Sequence, residues 1–312
     1  MNKLARSARR THLLAADLSA IPDGDAKIGP PYTDALELTV KPGVPRGKLN
    51  EFTMDSTDSK IYPGVNGPYK RQVAVYVPEG YVVETPAPLL VVQDGMSFKD
   101  ALRPILDNMI HDLRVPPVIA VFLDSGGGDG KGSQRSLEYD AVSDDYAVFV
   151  ETEVLPRVAR EYRLTITKDP RGRATMGGGS GGACAFTMAW RRPDLFRRVL
   201  SYSGAYVDPQ SAPDPKTPHG AWDYHEHLIV MNDVKPIRVW LEAGEKDTGF
   251  DQDEKSRRNA MLANERMAAA LKDKKYHYRY LFAAGAGPVD RKVVSQTLPD
   301  ALQWVWQGYP TD

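Results

Sequence analysis

The run RATMGGGSGGACAFTMAWRR, residues 173–192, passes from a strand-like sequence into a helix-like one through five glycines that surround a single serine. So many residues without a Cβ are needed only where backbone turns sharply and packs closely on other backbone. A strand, a tight turn and a helix packed back on that strand is the unit of an α/β sheet. The neighbouring sequence repeats this rhythm. RQVAVYVP, PLLVVQDG, VIAVFLDS, RVLSYSG, IRVWLEAG and YHYRYLFAAG read as strands. FKDALRPILDNMIHDL, DDYAVFVETEVLPRVAREY, RNAMLANERMAAALKDK and LPDALQWVWQGY read as helices. The predicted fold class is therefore α/β, with a mostly parallel central sheet and helices on both faces.

Residues 1–68 are rich in Pro, Gly and polar residues. They are expected to form an arm of short strands and turns packed on the body, with the α/β domain at 69–312. GGGDGKGSQRSLEYDAVS reads as a loop. Lys131 there is followed by Gly132 rather than Ser or Thr, which argues against a phosphate loop. The N-terminal MNKLARSARRTHLLAADLSA is basic but lacks the unbroken apolar stretch of about 7–15 residues that defines a secretory signal. The expectation is a soluble protein, either cytoplasmic or exported with its signal removed.

Composition removes several function classes. A net charge of −1 supplies no basic excess for nucleic acid. No apolar run approaches the roughly 20 residues that span a bilayer, so no membrane partner is expected. Cys184 is the only cysteine, which rules out an internal disulfide framework and a multi-cysteine metal site; it reads as a small buried hydrophobe.

Ligands of parallel sheets sit beyond the C-terminal strand ends, so the loops after those ends carry the candidate site. Gly178–Gly182 matches G-x-S-x-G between a strand and a helix, the setting of a nucleophile elbow, with Ser180 at its centre. Shifted by one residue, the same spacing puts Gly179 at the centre, and spacing alone leaves both frames open. The backbone N–H groups near Gly95 and Met96, together with that of Ser180, are candidate oxyanion donors.

The motifs VVQDG, SQRSLEYD, GRATMGG-x-SGG, RVLSYSG, HGAWDYHEHLI, GEKD and LPDALQWVW resemble the esterase branch of the α/β hydrolases that includes enterochelin esterases and carbohydrate acyl esterases. The resemblance runs from about residue 30 to the end. It implies an α/β-hydrolase fold and a Ser-His-Asp triad, with the nucleophile slot at Gly179 and the acid at Asp247. The histidine slot falls in FAAGAGPVDRKVV, where this chain has Pro288. Two triad slots therefore carry residues without the required side chain. The resemblance also sets Arg135 and Glu138 near the site, as a substrate clamp or as an ion pair bracing their loop.

His219, His225 and His227 cluster beside Asp223, Glu226 and Trp222. They are expected to line the pocket or to make structural hydrogen bonds, with a displaced base for Ser180 as the alternative. No metal or other cofactor is expected. His277 lies at the start of its strand, about 20 Å from the functional edge. The expected function is that of an esterase-family protein acting on a small carboxylic ester or related carbonyl substrate with a modified triad. The alternatives are non-hydrolytic lyase, cyclase or isomerase chemistry, or ligand binding without catalysis.

Overall fold

Strands β4 (Leu89–Gln93), β5 (Ile119–Leu123), β6 (Arg173–Gly178) and β7 (Arg198–Tyr202) are buried at every residue. Strands covered on both faces belong at the centre of a parallel sheet. In the computed structural model, which describes residues 20–128, 132–208 and 214–311, they do so. With β1 (Gly24–Ile28), β2 (Lys48–Asp55), β3 (Lys70–Val77), β8 (Arg238–Gly244) and β9 (His277–Ala283) they form one nine-stranded sheet of order β1-β9-β8-β7-β6-β4-β5-β3-β2. Pairing is parallel from β1 to β5, and antiparallel for β5–β3 and β3–β2. Both edge strands, β1 and β2, come from the N-terminal 68 residues, which therefore complete the sheet.

One face is covered by α1 (Gly95–His111) and the C-terminal helix α7 (Arg291–Trp306). The other is covered by α2 (Gln134–Tyr139), α3 (Asp145–Phe149), α4 (Leu155–Tyr162), α5 (Ser180–Arg191) and α6 (Ala260–Asp273). A π-helical turn, Val150–Val154, joins α3 to α4. Among the described residues no helix is long and apolar enough to cross a membrane.

Three boundaries differ from the sequence reading. α1 starts at Gly95 rather than Phe98, because Asp94 adopts a left-handed backbone (φ 51°) that turns the chain at once. Gly95 then lies so close to β5 that a Cβ would sit 2.5 Å from Phe122 Cα. The supposed loop after β5 contains α2, started by the Ser133 side chain accepting from Ser136 N–H. Helix α7 begins at Arg291 rather than Leu298, capped by the Asp290 carboxylate. Pro299 lies inside α7, where it cannot donate to the carbonyl of Ser295. That carbonyl instead accepts the Ala35 N–H at 3.2 Å.

Candidate functional site

The elbow's register follows from where a Cβ would fit. At Gly177 it would lie 2.3 Å from the Gly181 carbonyl, at Gly178 2.9 Å from a Val289 methyl, and at Gly182 2.9 Å from Ser201 Oγ. At Gly181 the nearest atom is Asp94 Oδ2, at 3.0 Å. Gly179 alone of the five has nothing within 4 Å. Its backbone (φ 57°, ψ −126°) lies in a region that costs an L residue on the order of 1–3 kcal/mol. The Gly179 N–H donates to Tyr202 O at 2.9 Å, and its carbonyl accepts from Gly182, Ala183 and Ala205 N–H at 3.0–3.1 Å. Gly179 is therefore the apex of the turn. Ser180 is the first residue of α5, and its N–H has no acceptor among the described residues.

The loops after β8 and β9 are fastened together beside this apex. Lys246 N–H donates to Ala286 O at 2.8 Å, and Val289 N–H donates to Ser203 Oγ at 2.8 Å. Gly244 meets the strand-β9 loop so closely that a Cβ would be 2.5 Å from Ala286 O. Asp247 is 1% exposed; its Oδ1 accepts Thr248 N–H at 2.7 Å, and its Oδ2 has no partner among the described residues. Burial raises this carboxyl above its usual range, against the pull of the adjacent Ser203 hydroxyl. Deeper in β8, Glu242 accepts from Thr297 Oγ1 at 3.1 Å. Burial pushes the Glu242 carboxyl up to about 8; Thr297 opposes the shift, while Asp247 and Asp290 add to it.

These loops enclose a cleft of about 1240 Å³. Gly179, Ser180, Met96, Arg135, Asp124 and Pro288 are on its wall. No histidine among the described residues is. His219 Nδ1 lies 3.5 Å from Asp208, a cleft residue, but His219 itself stays off the wall. His225 is buried with its ring 4.5 Å from that of Trp222; burial pushes it down to about 4, so it is neutral at pH 7. His227 is exposed, 3.7 Å from Glu226. Trp222 is core, and Ala221 reaches the cleft in its place.

Arg135 and Glu138 do not pair with each other. Arg135 binds Asp94 at 2.5 Å, with its guanidinium 5.1 Å from the Tyr139 ring, at the cleft wall. Glu138 is sealed inside, where both oxygens take Arg71 (2.6 and 2.7 Å), and Tyr69 and Gln134 donate as well. It braces the loop and does not face the cleft. Gly95 contributes close packing, and the Met96 N–H is spent on Asp124 Oδ1 at 3.1 Å.

Among the described residues one group brings three metal-ligand types together: Asp223, Glu226 and His227, with ligand atoms within 4.8 Å of one another. It lies off the cleft wall, with Glu226 and His227 exposed. The sequence reading gave Asp124 and Ser203 no role. Their signal was their place directly after strand ends β5 and β7, where ligand loops begin.

The fold has known counterparts. A ferulic acid esterase from Anaeromyces mucronatus superposes with a TM-score of 0.65 at 16% identity, over 88% of this chain and 96% of that one. The enterobactin esterase FES from Shigella flexneri gives a TM-score of 0.62 at 21% identity over 86% of this chain; the match spans only 61% of the enterobactin esterase. Among curated proteins, the uncharacterized protein YbbA of Bacillus subtilis (strain 168) is 20% identical over 249 residues, 76% of this chain and 92% of YbbA. The family model Esterase, described as "Putative esterase", matches residues 67–303. With that match over most of its length and an α/β-hydrolase sheet beneath it, this chain belongs to the esterase family.

Proposed function

We propose that this protein binds a small carboxylic ester in the cleft between the strand-end loops and does not cleave it through a serine acyl-enzyme. The carrying observation is the apex of the elbow. Gly179 has the strained backbone and the open space of a nucleophile position, but no hydroxyl to attack with. The rest of the site supports the same reading, since Asp247 Oδ2 has no hydrogen-bond partner among the described residues and no described histidine stands on the cleft wall. Ser180 is an unsuitable substitute, because a serine nucleophile needs a base within hydrogen-bond reach. Ester chemistry fits the family, and the similar structures include a ferulic acid esterase and an enterobactin esterase.

The test compares the natural chain with Gly179→Ser/Pro288→His. Binding is measured with methyl ferulate and phenyl acetate, turnover with 4-nitrophenyl butyrate, and serine reactivity with a fluorophosphonate followed by intact mass. Removing a triad member typically costs about 10⁴-fold or more. The natural chain should bind esters without turnover or adduct, and the double variant should gain at least about 100-fold in hydrolysis, allowing for imperfect placement. An adduct on the natural chain that Ser180→Ala abolishes overturns the proposal.

A further inference from the structure

We propose that Asp124 recognises the carbonyl oxygen of the bound ester by donating a hydrogen bond to it, so that ligand binding takes up one proton. This rests on the cleft being an ester site. A carbonyl lying near the elbow has two natural donors, the Ser180 N–H at the start of α5 and the Met96 N–H in the turn after β4. The second is already committed, because Met96 N–H donates to Asp124 Oδ1 at 3.1 Å. Asp124 follows β5, and β4 separates β5 from β6 and the elbow, so Asp124 and Gly179 flank the β4 turn about 10 Å apart. Both are on the cleft wall. A ligand oxygen approaching the β4 turn therefore meets a carboxyl group in place of a free N–H.

The protonation state of that group decides whether the meeting is favourable. An ionised carboxylate offers only lone pairs and repels a carbonyl oxygen. A protonated one keeps the Met96 N–H on Oδ1 and donates its O–H from Oδ2. The surroundings make protonation accessible. Three cations face Asp124: Arg71 from β3, Lys99 from α1 and Arg135 from α2. Each is engaged elsewhere, Arg71 by Glu138, Lys99 by Glu51 and Arg135 by Asp94. Asp94, Asp100 and Asp140 line the same cleft and add negative charge. The Asp124 carboxylate has no ion-pair partner among the described residues, although Arg71 also donates to the Asp124 backbone carbonyl at 2.6 Å. Burial outweighs the Met96 N–H bond and the surrounding cations, raising its carboxyl above the usual range.

The test is calorimetric titration of the full chain with methyl ferulate and phenyl acetate between pH 4.5 and 7.5, in paired buffers of different ionisation enthalpy. Affinity should fall by up to about tenfold per pH unit above the Asp124 titration, with close to one proton taken up per ligand. Asp124→Asn, whose amide oxygen can still accept from Met96 and whose N–H₂ donates, should bind at every pH about as tightly as the natural chain does at its acid limit, with no proton uptake. Ester binding with a flat pH profile, or a slope that survives in Asp124→Asn, overturns the role of Asp124 and leaves the ester reading standing. Failure of both esters to bind either protein at any pH overturns the ester reading and this inference with it. Proton uptake by the natural chain needs no variant, so a poorly folding Asp124→Asn would not protect the idea.

Discussion

Glu242 offers the sharpest quantitative test of this architecture. It is 1% exposed in β8, with Thr297 as its side-chain partner, and its carboxyl is pushed from 4.5 up to about 8. Between those values the native chain keeps a proton that the unfolded chain has released. The unfolded state then binds fewer protons, so stability falls as pH rises across that window and levels off above it. The slope is about 1.4 kcal/mol per pH unit, or roughly 3 kcal/mol between pH 5.5 and 7.5. Glu242→Gln removes the titration while keeping a group that can bond Thr297. Any cost of burying the amide is the same at every pH, so the informative quantity is the change in the difference between the two proteins. Urea unfolding of both at pH 5, 6, 7 and 8 should show the variant gaining steadily on the natural chain. A difference independent of pH, or one that shrinks as pH rises, would refute the claim that Glu242 is buried as the neutral acid.

The elbow makes a prediction by contrast. Gly177→Ala drives a methyl into the Gly181 backbone and should cost about 3 kcal/mol or more, whereas Gly179→Ala meets only its backbone strain, about 1–3 kcal/mol. Denaturant midpoints that rank the two the other way would place the apex at a different residue. Glu138→Ala leaves Arg71 buried and unpaired, for a loss of about 3–5 kcal/mol, while Arg135→Ala at the cleft wall should cost about 1 kcal/mol or less and act instead on ester affinity. Equal losses of stability would undo the separation of loop brace from cleft residue.

The central sheet was legible because its strands are short apolar runs with glycine or proline at their ends, and such runs have few other homes than a parallel sheet. The edge strands were not. GDAKI at 24–28 offers only Ala26 and Ile28 on its inward face, too short an alternation to stand out, and its partner β9 lies about 250 residues away in sequence. Helix α7 was read too short because Pro299 looks like a first-turn proline; the donor that makes it tolerable inside the helix, Ala35 N–H, comes from the far end of the chain. The elbow was legible as an elbow, yet its register was ambiguous in spacing. It became definite through collisions that only the packed strand and helix define. Glu138 and Arg135 sit three residues apart on one helix, and the sequence could not say that one points inward to Arg71 and the other outward to Asp94.

The pairing of β1 with β9 also bears on the order in which the protein is made. During synthesis at about 5–20 residues per second, residues 24–28 must wait roughly 10–50 s before residues 277–283 exist to receive them. Throughout that interval the β1 segment has no partner, and from β6 onward the nascent sheet ends in whichever strand has emerged last. β2, by contrast, finds β3 within a few dozen residues. One border of the sheet can therefore form early on the ribosome, while the other closes only when the first strand meets the last.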